Sequence, residues 1–277
     1  MNRSIGMLST RPVITVEADT LVIEALKMMS AQCISCVVVL RNHEPVGILT
    51  ERDVVFAANW VIGQPSLRVR EVMSKPVLTA PADLPLVEAY QLFREHRIRH
   101  LVVLGAQMEM DGIFTQTDLV RACRGSFFAK TADVTALMSS RVWSVTPQVT
   151  ARHALSVMAR HAISGVVVGE AAQPAGVFTE RDVVRLVAAG VDLTTLMVGA
   201  VMTKAVVTIP ASASPNRAID LMREHEVRRL LVVNEAGMLA GVLTQTDLSR
   251  VLEHQEETVA DRFATMAAPF TFSPGLV

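Results

Sequence analysis

Short apolar runs and amphipathic stretches alternate along the chain in one order that recurs four times. Four apolar runs are typical of buried strands: residues 36–40, 101–104, 166–168 and 230–233. Before each run, apolar positions at helical spacing predict an amphipathic helix: residues 21–30, 86–95, 151–160 and 215–224. A short strand precedes each helix, and a further strand and helix follow each buried run. The pattern therefore predicts an α/β fold of four βαββα units.

One motif recurs where the last strand of each unit passes into its last helix: a glycine, two apolar residues, a threonine, two polar residues and an aspartate. Its glycines, at intervals of 65, 64 and 65 residues, are Gly47, Gly112, Gly176 and Gly241. The first and third copies contain Thr-Glu-Arg-Asp, whereas the second and fourth contain Thr-Gln-Thr-Asp. This alternation indicates that a unit of two repeats, about 129 residues long, has itself been duplicated.

The duplication divides the chain into two tandem pairs of repeats and a tail. We expect the first pair over residues 1–128, with repeats at about 7–62 and 69–125. The second pair is expected over 129–254, with repeats at about 134–190 and 198–254. Residues 255–277 are predicted to form a C-terminal helix and tail, or else a connection to the rest of a longer signalling protein.

The motif threonine and aspartate stand where a strand is predicted to pass into a helix. Threonine is a good N-cap, and an acidic residue three positions later completes a capping box. The same atoms suit a nucleotide, because a helix N-terminus attracts phosphate and a carboxylate accepts hydrogen bonds from ribose hydroxyls. The candidate residues are Thr50, Asp53, Thr115, Asp118, Thr179, Asp182, Thr244 and Asp247.

In motif, order, length and alternation, residues 10–254 resemble four CBS (cystathionine-β-synthase-type) domains in two tandem pairs. The resemblance implies a pseudo-twofold disc for each pair, with two clefts that often hold adenosine derivatives. It assigns the motif threonine and aspartate to phosphate and ribose, and a basic pair before the middle strand to the phosphates.

These basic pairs are Arg99 with His100 and Arg228 with Arg229. Repeats one and three lack them, so basic charge is expected to enter the clefts from the even repeats. The alternative is that these residues are solvated or lie in an interface. An adenine ring would also need an apolar slot, for which the candidates, all plausible core residues, are Val16, Ile34, Ile98, Ile163 and Val227.

Composition narrows the classes of function. With 26 basic and 27 acidic side chains, the net charge of −1 disfavours a nucleic-acid binder driven by bulk charge. No apolar run approaches the roughly 20 residues of a membrane span. Three cysteines cannot form a disulfide framework, which favours a reducing, cytoplasmic location. Cys33 and Cys36 lack the second ligand pair of a zinc site and are expected to be buried and inert.

No nucleophile with a matching base, and no catalytic motif, emerges from the sequence. We therefore expect a non-catalytic sensor of AMP, ADP or ATP that requires no metal and regulates an effector protein or domain. S-adenosylmethionine is the alternative ligand. The competing hypothesis is a scaffold or dimerisation module whose clefts are empty.

Two predicted helices, at residues 54–61 and 183–189, are apolar over more of their surface than one sheet can cover. Such helices must bury a second face against another layer. We expect a homodimer joined through these helices. The alternative is a monomer in which the two tandem pairs cover each other.

Overall fold

The computed structural model describes residues 4–125, 128, 131–170 and 173–252. The helix and tail predicted over 255–277 lie outside the described residues. Repeat one contains β1 (Thr15–Glu17), α1 (Val22–Ala31), β2 (Cys36–Arg41), β3 (Glu44–Thr50) and α2 (Glu51–Gly63). Repeat two contains α3 (Val69–Val72), β4 (Thr79–Pro81), α4 (Leu86–Glu95), β5 (His100–Leu104), β6 (Met110–Thr115) and α5 (Gln116–Ala122).

The second tandem pair repeats this order. Repeat three contains β7 (Ser144–Val145), α6 (Ala151–His161), β8 (Gly165–Glu170), β9 (Gln173–Thr179) and α7 (Glu180–Ala188). Repeat four contains α8 (Val198–Val201), β10 (Thr208–Pro210), α9 (Pro215–Glu224), β11 (Arg229–Val233), β12 (Leu239–Thr244) and α10 (Gln245–Ser249). The predicted α/β fold of four βαββα units is confirmed. The short helices α3 and α8 were not expected, because four residues are too few to show a helical period.

Each repeat carries its own three-stranded sheet. The first strand runs parallel to the second, and the third returns antiparallel to it. In repeat one, for example, Val38 pairs with Thr15 on one side and Ile48 on the other. Val38 also joins Cys36, Val102 and Ile113 in a cluster that packs the sheet of repeat one on that of repeat two. Sheet-to-sheet contact therefore holds the first tandem pair together.

The two main cores are each shared between tandem pairs. One core unites repeats one and three, where α7 packs against α1 and α2. The other unites repeats two and four, where α5 packs against α10. Phe178 in the first core and Phe114 in the second are the largest fully buried side chains. Each tandem pair therefore covers the apolar helix faces of the other.

The helix faces from which the homodimer was predicted are covered within one chain, and the homodimer itself stays a prediction. Val55 on α2 and Val184 on α7 are each only 3% exposed, and both lie in the core that repeats one and three share. The second apolar face of each helix is therefore covered within one chain, as the alternative of an internally packed monomer required. No helix among the described residues has the length and apolar character needed to cross a bilayer.

The segment ahead of the first strand of each repeat bridges to the third strand of the other repeat in its pair. Ser74, ahead of β4, bridges to Ile48 in β3, and Thr203, ahead of β10, bridges to Val177 in β9. A Cβ atom on the motif glycine Gly176 would lie 2.7 Å from the carbonyl oxygen of Thr203. The motif glycine is thus needed where this crossing segment approaches the third strand.

Candidate functional site

The motif threonine caps the helix that follows it in all four repeats. In repeat two, the Thr115 hydroxyl oxygen accepts a hydrogen bond from the Asp118 backbone N–H at 3.3 Å. Asp118 Oδ2 accepts in return from the Thr115 N–H at 2.9 Å and from its hydroxyl at 2.6 Å. The same reciprocal box closes α2, α7 and α10. The predicted capping role is confirmed, and it commits one carboxylate oxygen of each aspartate.

The other carboxylate oxygen, Oδ1, distinguishes the four aspartates. In three of them a side chain of the same tandem pair lies next to it: Ser74 for Asp53 (2.7 Å), Arg185 for Asp182 (3.3 Å) and Arg250 for Asp247 (3.4 Å). Asp118 Oδ1 has no hydrogen-bond partner among the described residues. Asp182 and Asp247 are also buried, whereas Asp118 is partly exposed.

Asp118 lines a cavity of about 370 Å³, here called the first-pair cavity. Its walls come from the segments before β1 and β2 of repeat one and from the motif of repeat two. The second tandem pair closes it with α9, the segment before β11 and Arg181. Burial raises the pKa of Asp118, although hydrogen bonds from Thr115 and the charge of Arg121 act in the opposite direction. Asp118 Oδ1 is therefore a carboxylate oxygen that can accept a hydrogen bond from a donor in the cavity.

The five adenine-slot candidates divide between the cavity and the cores. Ile34 and Val227 line the first-pair cavity. Val16 is only 6% exposed within the first core and lines neither this cavity nor the central one described below. Ile98 and Ile163 pack against the cores and also line neither cavity. All five candidates are apolar, so residue type alone could not predict which of them line the cavity.

The motif helices of the even repeats begin in direct contact with each other. The Thr246 hydroxyl donates to Gln116 Oε1 at 3.1 Å, and the Thr117 hydroxyl donates to Gln245 Oε1 at 2.8 Å. The second and third positions of the two motifs therefore exchange hydrogen bonds reciprocally across the boundary between tandem pairs.

The odd repeats repeat this exchange with charged residues. Glu51 of repeat one lies 3.4 Å from the Arg181 guanidinium of repeat three, and Glu180 lies 3.6 Å from that of Arg52. The basic residues of the even repeats join the same two glutamates. Arg228 donates to Glu51 at 2.6 Å, and Arg99 donates to Glu180 at 2.6 Å.

All four of these ion pairs run from one tandem pair to the other. Burial alone would raise the pKa of Glu180, but the charges of Arg99, Arg52 and Arg229 outweigh it and lower that pKa. The Glu180 carboxylate, only 5% exposed, is therefore ionised at neutral pH.

A central cavity of about 270 Å³ lies at this junction. Residues of all four repeats line it, including the motif threonines Thr115, Thr179 and Thr244. Arg181, from an odd repeat, lines both cavities, so the expectation that basic charge enters from the even repeats only is wrong. The signal that could have revealed it was the Thr-Glu-Arg-Asp form of the odd motifs.

His100 does not supply the positive charge expected of it. Burial, followed by the charges of Arg99, Arg228 and Arg52, lowers the pKa of His100 to about 3. The neutral ring shares a 2.9 Å hydrogen bond with the Ser35 hydroxyl. Burial also lowers the pKa of Arg229, to about 10, so that guanidinium remains protonated at neutral pH.

The cysteines divide by exposure. Cys36 is buried, and burial raises the pKa of its thiol to about 12, as expected of an inert residue. Cys33 is exposed, so the expectation that both are buried is wrong for it. Cys33 lies in the turn between α1 and β2, where its φ is 54°.

A model of the CBS domain matches residues 5–59, 69–125, 133–189 and 198–254. The chain belongs to the CBS domain family. The four matched segments each contain one βαββα unit, so the repeats are CBS domains.

Several curated relatives share part of these CBS domains. An uncharacterized protein of Methanopyrus kandleri is 33% identical over 43% of this chain and 61% of its own length. One from Methanocaldococcus jannaschii is 26% identical over 73% of this chain and 47% of its own length. Inosine-5'-monophosphate dehydrogenase of Aquifex aeolicus is 36% identical, over 39% of this chain but only 22% of the enzyme. The chain thus spans less than two thirds of each.

Two solved structures share the arrangement of the CBS domains over most of the chain. A Methanocaldococcus jannaschii protein superposes with a TM-score of 0.78 at 19% identity, covering 91% of this chain and 99% of its own. A Pyrococcus horikoshii protein superposes with a TM-score of 0.62 at 18% identity, covering 90% and 99%. At these identities the likeness shows a shared fold.

Proposed function

We propose that this chain is a non-catalytic sensor that binds an adenosine-containing ligand in the first-pair cavity. The observation that carries the proposal is the state of Asp118. One oxygen of this carboxylate belongs to the helix cap, while the other has no partner among the described residues and borders a cavity of about 370 Å³. Two adjacent ribose hydroxyls are donors suited to such an oxygen.

Apolar and basic groups of the same cavity suit the rest of the ligand. Ile34 and Val227 offer apolar contact to a base. Arg121, Arg181 and Arg228 also line the cavity and supply guanidinium groups, which bind phosphate through paired N–H donors. A nucleotide therefore fits this chemistry better than a nucleoside alone, and AMP, ADP and ATP are the first candidates.

The ligand would act on the arrangement of the two tandem pairs. The first-pair cavity takes Arg181 and Arg228 from the second pair, so a ligand there contacts both pairs at once. A ligand that binds one arrangement more tightly shifts the population toward it, and an effector protein or domain can respond to the shift.

Calorimetric titration of the chain with adenosine, AMP, ADP, ATP and S-adenosylmethionine tests this proposal. We expect AMP to bind more tightly than adenosine at low salt, with the advantage shrinking as ionic strength rises. Equal affinities would mean that the arginines do not meet the phosphates. If none of the five ligands binds, the chain is better explained as a scaffold with empty clefts.

A further inference from the structure

Two arginines form part of the wall between the cavities. Arg181 lies in the first turn of α7, and Arg228 directly precedes β11, so both belong to the second tandem pair. Each nevertheless lines the first-pair cavity as well as the central cavity. They are cationic groups that the second pair presents to a ligand resting on Asp118.

Both arginines already pair with one carboxylate of the first tandem pair, that of Glu51. Glu51 Oε2 accepts from Arg228 Nη1 at 2.6 Å, and Oε1 lies 3.4 Å from both Arg228 Nη2 and Arg181 Nε. The Glu51 side chain is only 3% exposed. Its carboxylate thus presents two anionic oxygens to two guanidinium groups, which is also what a ligand phosphate would do.

We propose that Glu51 determines which ligands this cavity accepts, by holding Arg181 and Arg228 until an anionic group of the ligand takes its place. The inference rests on the proposed function, because it concerns the same cavity. A neutral nucleoside can occupy the cavity without disturbing the ion pairs. A phosphorylated ligand can pair with the arginines only by displacing Glu51. The cost of breaking the Glu51 ion pairs therefore offsets part of the attraction between the phosphate and the arginines.

The exchange also links ligand binding to the contact between tandem pairs. Glu51 lies in the first pair and its two arginines in the second, so displacement removes one of the ion-pair clusters that join them. Because coupling of this kind is reciprocal, whatever strengthens the Glu51 contact weakens phosphate binding to the same extent.

The even repeats show that this position does not need an acid. Gln116 and Gln245 occupy the corresponding place in the even repeats, beside the same Thr-x-x-Asp helix start. There the amides accept hydrogen bonds from threonine hydroxyls. Glutamine is therefore compatible with the local backbone, and Glu51→Gln removes the charge while it preserves the shape of the side chain.

The test is calorimetry of the full chain with adenosine, AMP and inorganic pyrophosphate at low salt. We expect Glu51→Gln to strengthen AMP and pyrophosphate binding about tenfold, while adenosine affinity stays within about twofold. Glu51→Asp keeps the charge but shortens the side chain, so we expect an intermediate gain of about threefold. Because Glu51→Asp keeps the negative charge, it separates the loss of contact with the arginines from the loss of repulsion between the carboxylate and the phosphate. It also provides a test if Glu51→Gln folds poorly.

Glu226→Gln is the matched control. Glu226 is exposed, lines both cavities, and has no ion pair with either arginine among the described residues. It should change phosphate affinity by no more than about twofold. Equal gains for Glu51→Gln and Glu226→Gln, or no gain in Glu51→Gln and Glu51→Asp, would overturn the proposal. Failure of adenosine and AMP to bind would instead overturn the proposed function, and pyrophosphate would still test Glu51.

Discussion

Gly165 in repeat three and Arg229 in repeat four face each other so closely that a Cβ atom on Gly165 would collide with the Arg229 guanidinium. Arg229 Nη2 donates at 2.6 Å to the backbone carbonyl oxygen of Ser164. At the corresponding places in the first pair the chain has Cys36 and the smaller side chain of His100. In the second pair, the larger basic residue, Arg229, therefore lies opposite a glycine, which has no side chain.

Replacement of Gly165 with alanine should therefore destabilise the chain. The added methyl group would meet Arg229 and also the Phe178 carbonyl oxygen at 2.7 Å. We expect a loss of about 1–3 kcal/mol in the free energy of unfolding, measured by chemical denaturation. Arg229→His, which copies the first pair, should recover part of this loss in the double variant. Strict additivity of the two single changes would refute the pairing.

Asp118→Asn should weaken ligand binding with little effect on the fold. The asparagine oxygen can keep the cap with Thr115, whereas the amide group at the Oδ1 position donates and cannot accept from ribose. We expect adenosine affinity to fall about 10-fold to 100-fold, measured by calorimetry. Asp247→Asn is the control, because Arg250 already neighbours its Oδ1. A comparable loss of adenosine affinity in both variants would contradict the assignment of the ligand to the first-pair cavity.

Ligand affinity at the same cleft should depend on pH. Burial raises the pKa of Asp118 in the free protein, and ribose hydroxyls that donate to the carboxylate would lower it again. Adenosine binding should therefore release protons at acid pH, and its affinity should fall as the pH falls through the pKa of Asp118. Calorimetry in buffers of different ionisation enthalpy measures this release. The release should disappear in Asp118→Asn.

Glu180 should contribute stability that acid removes. Burial opposes its ionisation, but the charges of Arg99, Arg52 and Arg229 hold its pKa below the ordinary value. Since the folded-state pKa is the lower one, the contribution is complete above the unfolded pKa of about 4.3 and is lost as the pH falls through the folded value. Denaturation across pH should show wild type and Glu180→Gln converging in strongly acid solution. A difference that does not vary with pH would exclude this role.

Charge introduced between the helices of repeats one and three should unfold the chain rather than divide a dimer. Val184→Asp places a carboxylate in a core where the side chain is 3% exposed, at an expected cost of about 3 kcal/mol or more. Phe56→Asp on α2 is the control, because Phe56 is 57% exposed and should cost no more than about 0.5 kcal/mol. Light scattering that showed Val184→Asp halving the mass of a folded dimer would contradict the internal packing.

Local patterns determined the repeats and their caps. The recurrence of glycine, threonine and aspartate at a constant interval predicted four units, and each Thr-x-x-Asp forms the capping box expected of it. The boundaries of α4 (Leu86–Glu95) and α9 (Pro215–Glu224) were predicted to the residue. These features follow from the sequence because capping and helical periodicity involve residues only three or four positions apart.

Contacts between distant residues required the tertiary structure. Apolar periodicity predicted that α2 and α7 must each cover a second face, but it could not say whether a second chain or the same chain does so. In the same way, Glu51 and Arg228 are separated by 177 positions, and nothing near either residue indicates the other. The tertiary structure decided both the cover of these helices and the partner of Glu51. Repeat one packs on repeat three, and repeat two packs on repeat four. This packing brings the start of every motif helix to one junction, where buried charges must find partners.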